Sequence, residues 1–513
     1  MNRNLVAALG ILFLGLLCIG AYKKLSEMMV EKGQTAASDA RSHLTIKMAG
    51  DGYLGYFFIN SPEMKRQLAK RGITVDFTND GGAYADRLEH FSKGDYDGIV
   101  LPINSYIEHG AKWKYPGVIV ASIAESKGAD AILAFSDKLK TGKISDLNDS
   151  SLKIVYTGQS PSSFLLDLTI VDFDLYNLSR TDTWRKEVNG STDAYKLAKN
   201  KDGDVFVMWE PDVSHALRDV PGLKQIWGSD GFSGYIVDVF VFRREFVEQH
   251  HDDLVSFFEA YFSTMRTYAS DRPRLVDDMK IATGLKADEI EKMLKKIDWY
   301  DFQGQISKEF GLRSAAGSGA VEGVVNTIIA CTNVLVKTGK FTKDPLGDPY
   351  KIINTSILED LQKRLPTEVG GAGGEHQFSK LTDAQWRQLK ELGVMRVQPI
   401  TFKTGSELLD GDGEEQVDKI ASMLVNNYPD TRIVVRGHTG PGSDEGESIK
   451  LSQERADAVV QRLIAVHGIS PERVRGVGKG FSQPPERRPG ENQRAYMYRM
   501  PRVEFALYLD NSF

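Results

Sequence analysis

Short apolar runs alternate with segments of helical periodicity from His43 onward. The stretches "HLTIKMAG", "ITVDFTND" and "GIVLP" have the length and composition of strands. Between them, "SPEMKRQLAKRG" and "AYADRLEHFSKGDYD" repeat apolar residues at helical spacing. Strands separated by helices of this length are typical of βαβ units in a mostly parallel sheet. The pattern predicts an α/β domain over residues 44–366.

A second patterned region follows a stretch that has no hydrophobic period. Residues 367–379 are rich in glycine, which predicts a flexible linker and a domain boundary. After it, "MRVQPITFKTGS", "TRIVVRGHT" and "MPRVEFALYL" have strand character, and two amphipathic helices lie between them. These elements predict a smaller α+β domain over residues 380–513.

The N-terminus carries an uncharged apolar run from Leu5 to Tyr22. About 18 such residues can just cross a bilayer as a helix. A cleaved signal peptide is the alternative, but no polar stretch precedes the possible cleavage site at Ile19–Ala21. We therefore expect residues 1–24 to be a retained transmembrane anchor.

Charge and motifs narrow the function. The net charge is -6 and no basic block occurs, so a nucleic-acid partner is not expected. The chain has no G-x-S-x-G, P-loop or H-E-x-x-H motif, which argues against an enzyme or a bound cofactor. His250 and His251 are adjacent on a predicted helix and point apart, so no metal site is expected there.

Several segments resemble one family of binding proteins. "GDYDGIVLP", "SKGADAILAF", "DVFVMWEP" and "DVFVFRREFVEQHHDDLVSFFEAYF" occur in the order found in solute-binding proteins of nitrate, sulfonate and taurine ABC importers. The resemblance extends over about residues 44–345. It implies a type 2 periplasmic-binding-protein fold, in which two α/β lobes close on a ligand about a hinge of two crossing strands. Residues 130–135 and 236–242 are the expected crossing strands, which puts the second lobe at about 136–235.

Ligand-binding residues are expected in loops at the carboxyl ends of strands, beside helix N-termini. The serines of "TGQSPSSF" at a helix start suggest a cradle for a small anionic or zwitterionic ligand. Helix capping is the alternative for these serines, and ring burial is the alternative for the aromatic residues. The predicted ligand-binding residues are Asp51, Tyr53, Tyr56, Asn104, Ser105, Ser160, Ser162, Ser163, Trp209 and Glu210.

The C-terminal region resembles the OmpA-like peptidoglycan-binding domain. "RGHT", "LSQERADAVVQRL", "GISPERVRGVGKG" and "RVEFAL" carry this resemblance over about residues 396–509. In that family an Asp after "GHT" binds the amine of diaminopimelate, and an Arg in the next helix binds its carboxylate. Arg455 occupies the arginine position, but Gly440 replaces the acid. The predicted peptidoglycan-binding residues are Thr439, Arg455 and Arg502, with Asp444 of the same loop as a substitute for the missing acid. A solvated turn is the alternative for Asp444, and a domain repurposed for protein contact is the alternative for wall binding.

Two hypotheses of different classes follow. The first is a periplasmic solute-binding receptor in a diderm bacterium, tethered to the inner membrane and the cell wall. It would pass a small ligand to an ABC permease or a sensor. The second is a non-catalytic envelope scaffold or stress-response protein that uses the binding fold for protein contacts. Neither the ligand nor the oligomeric state follows from the sequence.

Overall fold

The computed structural model describes residues 42–312, 322–365, 378–403, 406–441 and 444–509. The predicted transmembrane anchor at residues 1–24 and most of the predicted linker lie outside these ranges. Within them, no helix combines the length and apolarity needed to cross a membrane.

The first lobe is built on a six-stranded sheet. Its order is β11-β4-β10-β3-β1-β2. The strands are β1 (Leu44–Gly50), β2 (Ile73–Asn79), β3 (Gly98–Pro102), β4 (Gly117–Ser126), β10 (Val237–Arg243) and β11 (Ile297–Trp299). β1 pairs in parallel with β2 and β3, as the βαβ pattern predicts.

The second lobe has a five-stranded sheet of order β7-β6-β8-β5-β9. Its strands are β5 (Asp130–Phe135), β6 (Ile154–Thr157), β7 (Arg185–Val188), β8 (Val205–Trp209) and β9 (Leu223–Gly228). β5 pairs antiparallel with β8 and β9, and β10 pairs antiparallel with β3 and β4. The prediction of mostly parallel sheets is therefore wrong beside the crossings, because the strands that enter and leave a lobe run in opposite directions.

Helices cover both faces of the two sheets. In the first half of the chain they are α1 (Phe57–Asn60), α2 (Pro62–Ala69), α3 (Tyr84–Lys93), α4 (Ile103–Gly110), α5 (Pro161–Asp172), α6 (Tyr176–Ser179), α7 (Ser191–Lys199), α8 (Asp212–Asp219), α9 (Arg244–Gln249) and α10 (His251–Ser270). They are followed by α11 (Arg272–Thr283), α12 (Ala287–Leu294), α13 (Phe302–Gly304), α14 (Gly323–Lys337) and α15 (Ser356–Arg364). The inner strands β3, β4 and β5 are buried along their whole length, which explains their continuous apolar runs.

The C-terminal domain is a four-stranded sheet of order β12-β15-β13-β14. Its strands are β12 (Glu391–Met395), β13 (Thr431–His438), β14 (Val474–Gly478) and β15 (Arg502–Leu509), and its helices are α16 (Asp383–Gln388), α17 (Gly411–Asn426), α18 (Glu445–Ala465) and α19 (Gln493–Arg499). The predicted strand at 395–406 is wrong over residues 396–403, which the structure describes: β12 ends at Met395, and in this part of the stretch Phe402 forms an isolated bridge with Leu409.

The C-terminal domain packs directly against the second lobe. Asp172, at the end of α5, accepts a hydrogen bond from the Tyr428 hydroxyl and is 5% exposed. Asn427 pairs with the backbone of Ser233 in both directions, at 2.6 Å and 3.0 Å. Arg488 forms an ion pair with Asp174 at 2.9 Å. These contacts dock the domain beside the hinge.

Candidate functional site

Two short segments connect the lobes. Residues 127–129 lead from β4 to β5, and residues 229–236 lead from β9 back to β10. Ser229 links the two segments, since its hydroxyl lies 2.6 Å from the Ser126 hydroxyl and accepts a hydrogen bond from the Gly128 N–H at 2.8 Å. Gly128 has φ +102°, a conformation that side chains disfavour. The crossings thus form one hinge.

The cleft beside this hinge is closed and narrow. It has about 10 Å³ of space, enough for about one water molecule. Its walls are Tyr53, Tyr56, Tyr84, Pro102, Asp130, Pro161, Trp209, Ile236 and Asp238. No lysine, arginine or histidine is among these described lining residues.

Contacts between the lobes hold the cleft closed. Lys296 of the first lobe pairs with Glu210 of the second at 2.5 Å, and Glu210 is fully buried. Glu210 also accepts hydrogen bonds from the backbone and hydroxyl of Ser214. His109 contacts the Gln159 carbonyl at 3.0 Å. The prediction that Glu210 contacts ligand has no support here, because its oxygens already serve closure and helix capping.

Two carboxyl groups sit in the cleft wall where the lobes join. Asp130 begins β5 and Asp238 lies in β10, with 3% and 1% of their surface exposed. Burial raises the pKa of Asp130 to about 7. Burial also raises the pKa of Asp238, and the neighbouring Asp51 and Asp130 raise it further. Asp130 Oδ1 has no hydrogen-bond partner among the described residues.

Asp51 organises the first-lobe side of the cleft. Its carboxylate accepts hydrogen bonds from the Tyr53 N–H at 2.9 Å, the Tyr84 hydroxyl at 3.1 Å and Arg87 Nη2 at 3.1 Å. Arg87 is fully buried and also pairs with Asp80 at 2.5 Å. Asp51 and Asp80 together neutralise the Arg87 guanidinium. Asp51 therefore holds Arg87, Tyr84 and the Tyr53 backbone in place.

Aromatic rings from both lobes complete the cleft. Tyr53 and Tyr56 pack edge to face with centroids 5.4 Å apart, and the Tyr56 hydroxyl donates to Asp238. Trp209 reaches across from the second lobe, and a Cβ on Gly82 would lie 3.6 Å from its ring. Aromatic faces attract cations, most strongly where water is excluded. The predicted residues Tyr53, Tyr56 and Trp209 do line the cleft.

The three serines of the predicted cradle differ in their hydrogen bonds: two cap the helix, and one has a hydroxyl without a described partner. Ser160 caps α5, and the Ser163 hydroxyl accepts a hydrogen bond from the Ser160 N–H, so these two serine side chains serve the helix. The hydroxyl of Ser162 and Oδ1 of Asn104 are buried without a hydrogen-bond partner among the described residues. Asn104 instead donates to Ser105 at 3.4 Å. Neither Ser162 nor Asn104 is among the described residues that line the cleft, although Pro161, next to Ser162, is.

Sequence reasoning missed Tyr84, Asp130 and Asp238. Asp130 and Asp238 stand inside otherwise apolar strands, "DAILAF" and "IVDVFVF". A charged residue within a buried strand is costly unless it is paired or functional. An aspartate within an apolar strand could therefore have marked both positions as candidate site residues.

In the C-terminal domain the four predicted wall-binding residues are not equally available. Arg455 lies over the Phe402 ring at 5.0 Å and donates from Nε to the Ser406 carbonyl at 3.4 Å. Thr439 is buried, and its hydroxyl has no described partner. Asp444 instead caps α18 by accepting from the Glu447 N–H, and Arg502 is paired with Glu504 at 2.6 Å.

Comparisons with solved structures find similar chains for the N-terminal region. The periplasmic nitrate-binding protein of Synechocystis PCC 6803 is 10% identical, with a TM-score of 0.49, covering 63% of this chain and 89% of that one. The aliphatic sulphonate binding protein of Escherichia coli is 17% identical, with a TM-score of 0.42, covering 50% of this chain and 86% of that one.

Comparisons by sequence concern the C-terminal region. Outer membrane porin F of Pseudomonas fluorescens is 34% identical over 92 residues, 18% of this chain and 28% of the porin. The probable lipoprotein YiaD of Escherichia coli is 33% identical over 85 residues, 17% of this chain and 38% of the lipoprotein. The chain thus spans well under half the length of these relatives. Residues 401–497 match the OmpA family, so the C-terminal region carries an OmpA family domain.

Proposed function

We propose that this protein is a solute-binding receptor of the cell envelope whose ligand carries a cationic amine group. The observation that carries the proposal is the pair of buried carboxyl groups, Asp130 and Asp238, set among four aromatic rings. Burial raises the pKa values of both groups, and an ammonium group beside them favours their ionised form, so that binding pairs opposite charges. Aromatic faces add a further attraction to the same cation.

The charges also favour one of the two ligand types expected from the sequence. A simple anion would face Asp130 and Asp238 with no lysine, arginine or histidine among the described lining residues. A zwitterion is compatible, because its amine can meet the carboxyl groups. Its acidic group can then accept hydrogen bonds at the start of α5, where Ser162 has an unused hydroxyl.

The ligand enters by hinge opening in this proposal. The closed cleft leaves about 10 Å³, which is far below the volume of an organic amine. Separating the lobes breaks the Lys296–Glu210 pair and the His109–Gln159 contact and moves Trp209 away from Gly82. The closed form described here is then one end of the hinge motion.

The small cleft volume favours a second candidate function. Rings and carboxyl groups that fill the cleft would suit a non-catalytic scaffold whose lobes stay shut. A native mass spectrum of the purified full-length protein and an amine screen separate the two. A scaffold gives neither a co-purified molecule nor a response to any amine.

The proposal extends to the tethering of the receptor. An OmpA family domain at residues 401–497 supports binding to peptidoglycan, with Arg455 as the carboxylate-binding residue. An anchor at residues 1–24 would hold the other end in the inner membrane, with the folded domains in the periplasm. Delivery of the ligand to an ABC permease or a sensor completes this proposal, which includes no catalytic step.

The test is ligand binding by the full-length protein in detergent. Quaternary ammonium compounds, primary amines, amino acids, nitrate and sulfonates are screened by thermal shift, and hits are measured by calorimetry. Asp130→Asn should weaken amine binding by tenfold or more, because a charged hydrogen-bonded partner is lost. The matched control is Asp137→Asn on the exposed surface of the same lobe, which should leave binding unchanged. Binding of nitrate or sulfonates but not amines would overturn the proposal.

A further inference from the structure

A large groove lies between the second lobe and the C-terminal domain. Its volume is about 610 Å³, within the range of small-molecule sites. One wall is the 141–143 loop of the second lobe, and another is α16 with the residues that follow it. The floor is the face of the C-terminal sheet formed by β13, β14 and β15, including Val434, Val477 and Tyr508.

Basic side chains dominate this groove. Six line it, against two acidic ones, Asp383 and Glu391. The basic residues are Lys143, Arg387, Lys390, Arg436, Arg475 and Lys479. Because the whole protein has a net charge of -6, this local excess of positive charge is opposite in sign to the chain as a whole.

Only part of the positive charge is neutralised. Arg475 pairs with Asp383 at 2.9 Å, and Glu391 accepts Arg436 at 2.7 Å and Lys143 at 3.6 Å. The other three basic residues have no carboxylate within 4 Å among the described residues; they are Arg387, Lys390 and Lys479. Three uncommitted cations around one concave space attract an anion of more than one charge.

The groove is also apolar at its base. Val434 and Leu389 are buried there, and Trp386 contributes a half-buried indole. Sites that combine apolar and aromatic walls with a few convergent charges hold organic ligands rather than bare ions. A ligand that suits both features has an apolar or planar body and a phosphate group.

We propose that this groove binds a phosphorylated organic molecule, with Arg387, Lys390 and Lys479 holding the phosphate. The proposal is independent of the proposed amine-binding cleft, because the groove and the cleft share no lining residue. The phosphate can belong to a free nucleotide-sized molecule or to a lipid headgroup, since both present the same chemistry.

Calorimetry on the full-length protein tests the groove with adenosine monophosphate as the probe. The triple variant Arg387→Gln, Lys390→Gln, Lys479→Gln should weaken binding by tenfold or more. The control carries the same charge change on exposed residues of the first lobe, Lys280→Gln, Lys292→Gln and Lys363→Gln. It should bind within about twofold of the wild type, because surface charges beyond about 8–10 Å are screened.

Two further measurements show whether the phosphate belongs to a lipid or to a free molecule, and whether the ligand lies beside Trp386. Co-sedimentation with phosphatidylglycerol and phosphatidylcholine vesicles shows whether a lipid phosphate is preferred, and retention that is lost in the groove triple supports the proposal. The nucleotide should quench tryptophan fluorescence in the wild type. This quenching should disappear in Trp386→Phe, which keeps an aromatic ring but removes the fluorescent indole. No binding of either phosphate source, or equal binding by the groove triple and the control triple, overturns the proposal.

Discussion

Asp172 offers a sharp test of the docking between the C-terminal domain and the second lobe. Its carboxyl is buried at the end of α5 beneath Tyr428, and this burial raises its pKa to about 6, against the hydrogen bond from Tyr428, which lowers it. An exposed Asp has a pKa near 3.9. The folded, docked protein therefore holds this proton more tightly than the unfolded chain does.

The sign and size of the effect follow from linkage. A group whose folded pKa is raised contributes least to stability when it is ionised, so stability falls as the pH rises from about 4 to about 6. The difference between a pKa of about 6 in the folded protein and one near 3.9 in the unfolded chain corresponds to roughly 3 kcal/mol. Asp172→Asn removes the charge and keeps an acceptor for Tyr428. We expect the variant to be more stable than the wild type by up to about 3 kcal/mol at pH 7.5, and no more stable at pH 4.

Urea denaturation of both proteins at pH 4 and pH 7.5 measures this difference. The control at the same interface is Asp174→Asn, which loses a half-exposed ion pair with Arg488 and should cost about 0–1 kcal/mol at pH 7.5. The two variants thus shift stability in opposite directions at neutral pH. A stabilisation by Asp172→Asn that does not change between pH 4 and 7.5, or a loss of stability at pH 7.5, would refute the reasoning.

Three other outcomes are expected. Affinity for a cationic ligand should rise with pH through about 7, because the ligand favours the ionised form of Asp130; calorimetry at pH 6 and 8 checks this, and Asp130→Asn should flatten the dependence. Lys296→Met should open the lobes by removing the closing ion pair with Glu210, which scattering would record as a larger radius of gyration; an unchanged radius would contradict this. Arg455→Ala should reduce retention on diaminopimelate-type peptidoglycan at least tenfold, and Gly440→Asp should increase it, since an added Cβ there meets Pro501 at an ordinary 3.5 Å; equal retention of all three proteins would count against wall binding.

Periodicity located most strands and helices, and the order of motifs indicated two lobes and a C-terminal domain. Tyr53 and Tyr56 could be predicted as cleft residues because they follow a strand end among glycines, and Trp209 could be predicted from the family resemblance of "DVFVMWEP". Ser160 and Ser163 could not be separated from Ser162 by sequence. Capping and ligand binding select the same residue types at a helix start, and only the hydrogen bonds distinguish them.

The domain docking and the groove could not be predicted, because both depend on contacts between residues that are far apart in sequence. Asp172 and Tyr428 are 256 positions apart, and nothing local to either segment indicates that they meet. The groove likewise combines a loop near residue 142 with a sheet near residue 436. Such surfaces arise from the placement of whole domains, which hydrophobic periodicity does not encode.

The pairing of Asn427 with Ser233 has a mechanical consequence. Ser233 belongs to the returning hinge segment, so a pull on the C-terminal domain reaches the hinge through two backbone-directed hydrogen bonds rather than through the glycine-rich linker alone. Any lobe movement that strains this segment must also weaken the docking, and by thermodynamic reciprocity undocking must shift the lobes by the same free energy. In the proposed receptor, a force on the C-terminal domain and ligand binding in the cleft would therefore act on the same short piece of chain.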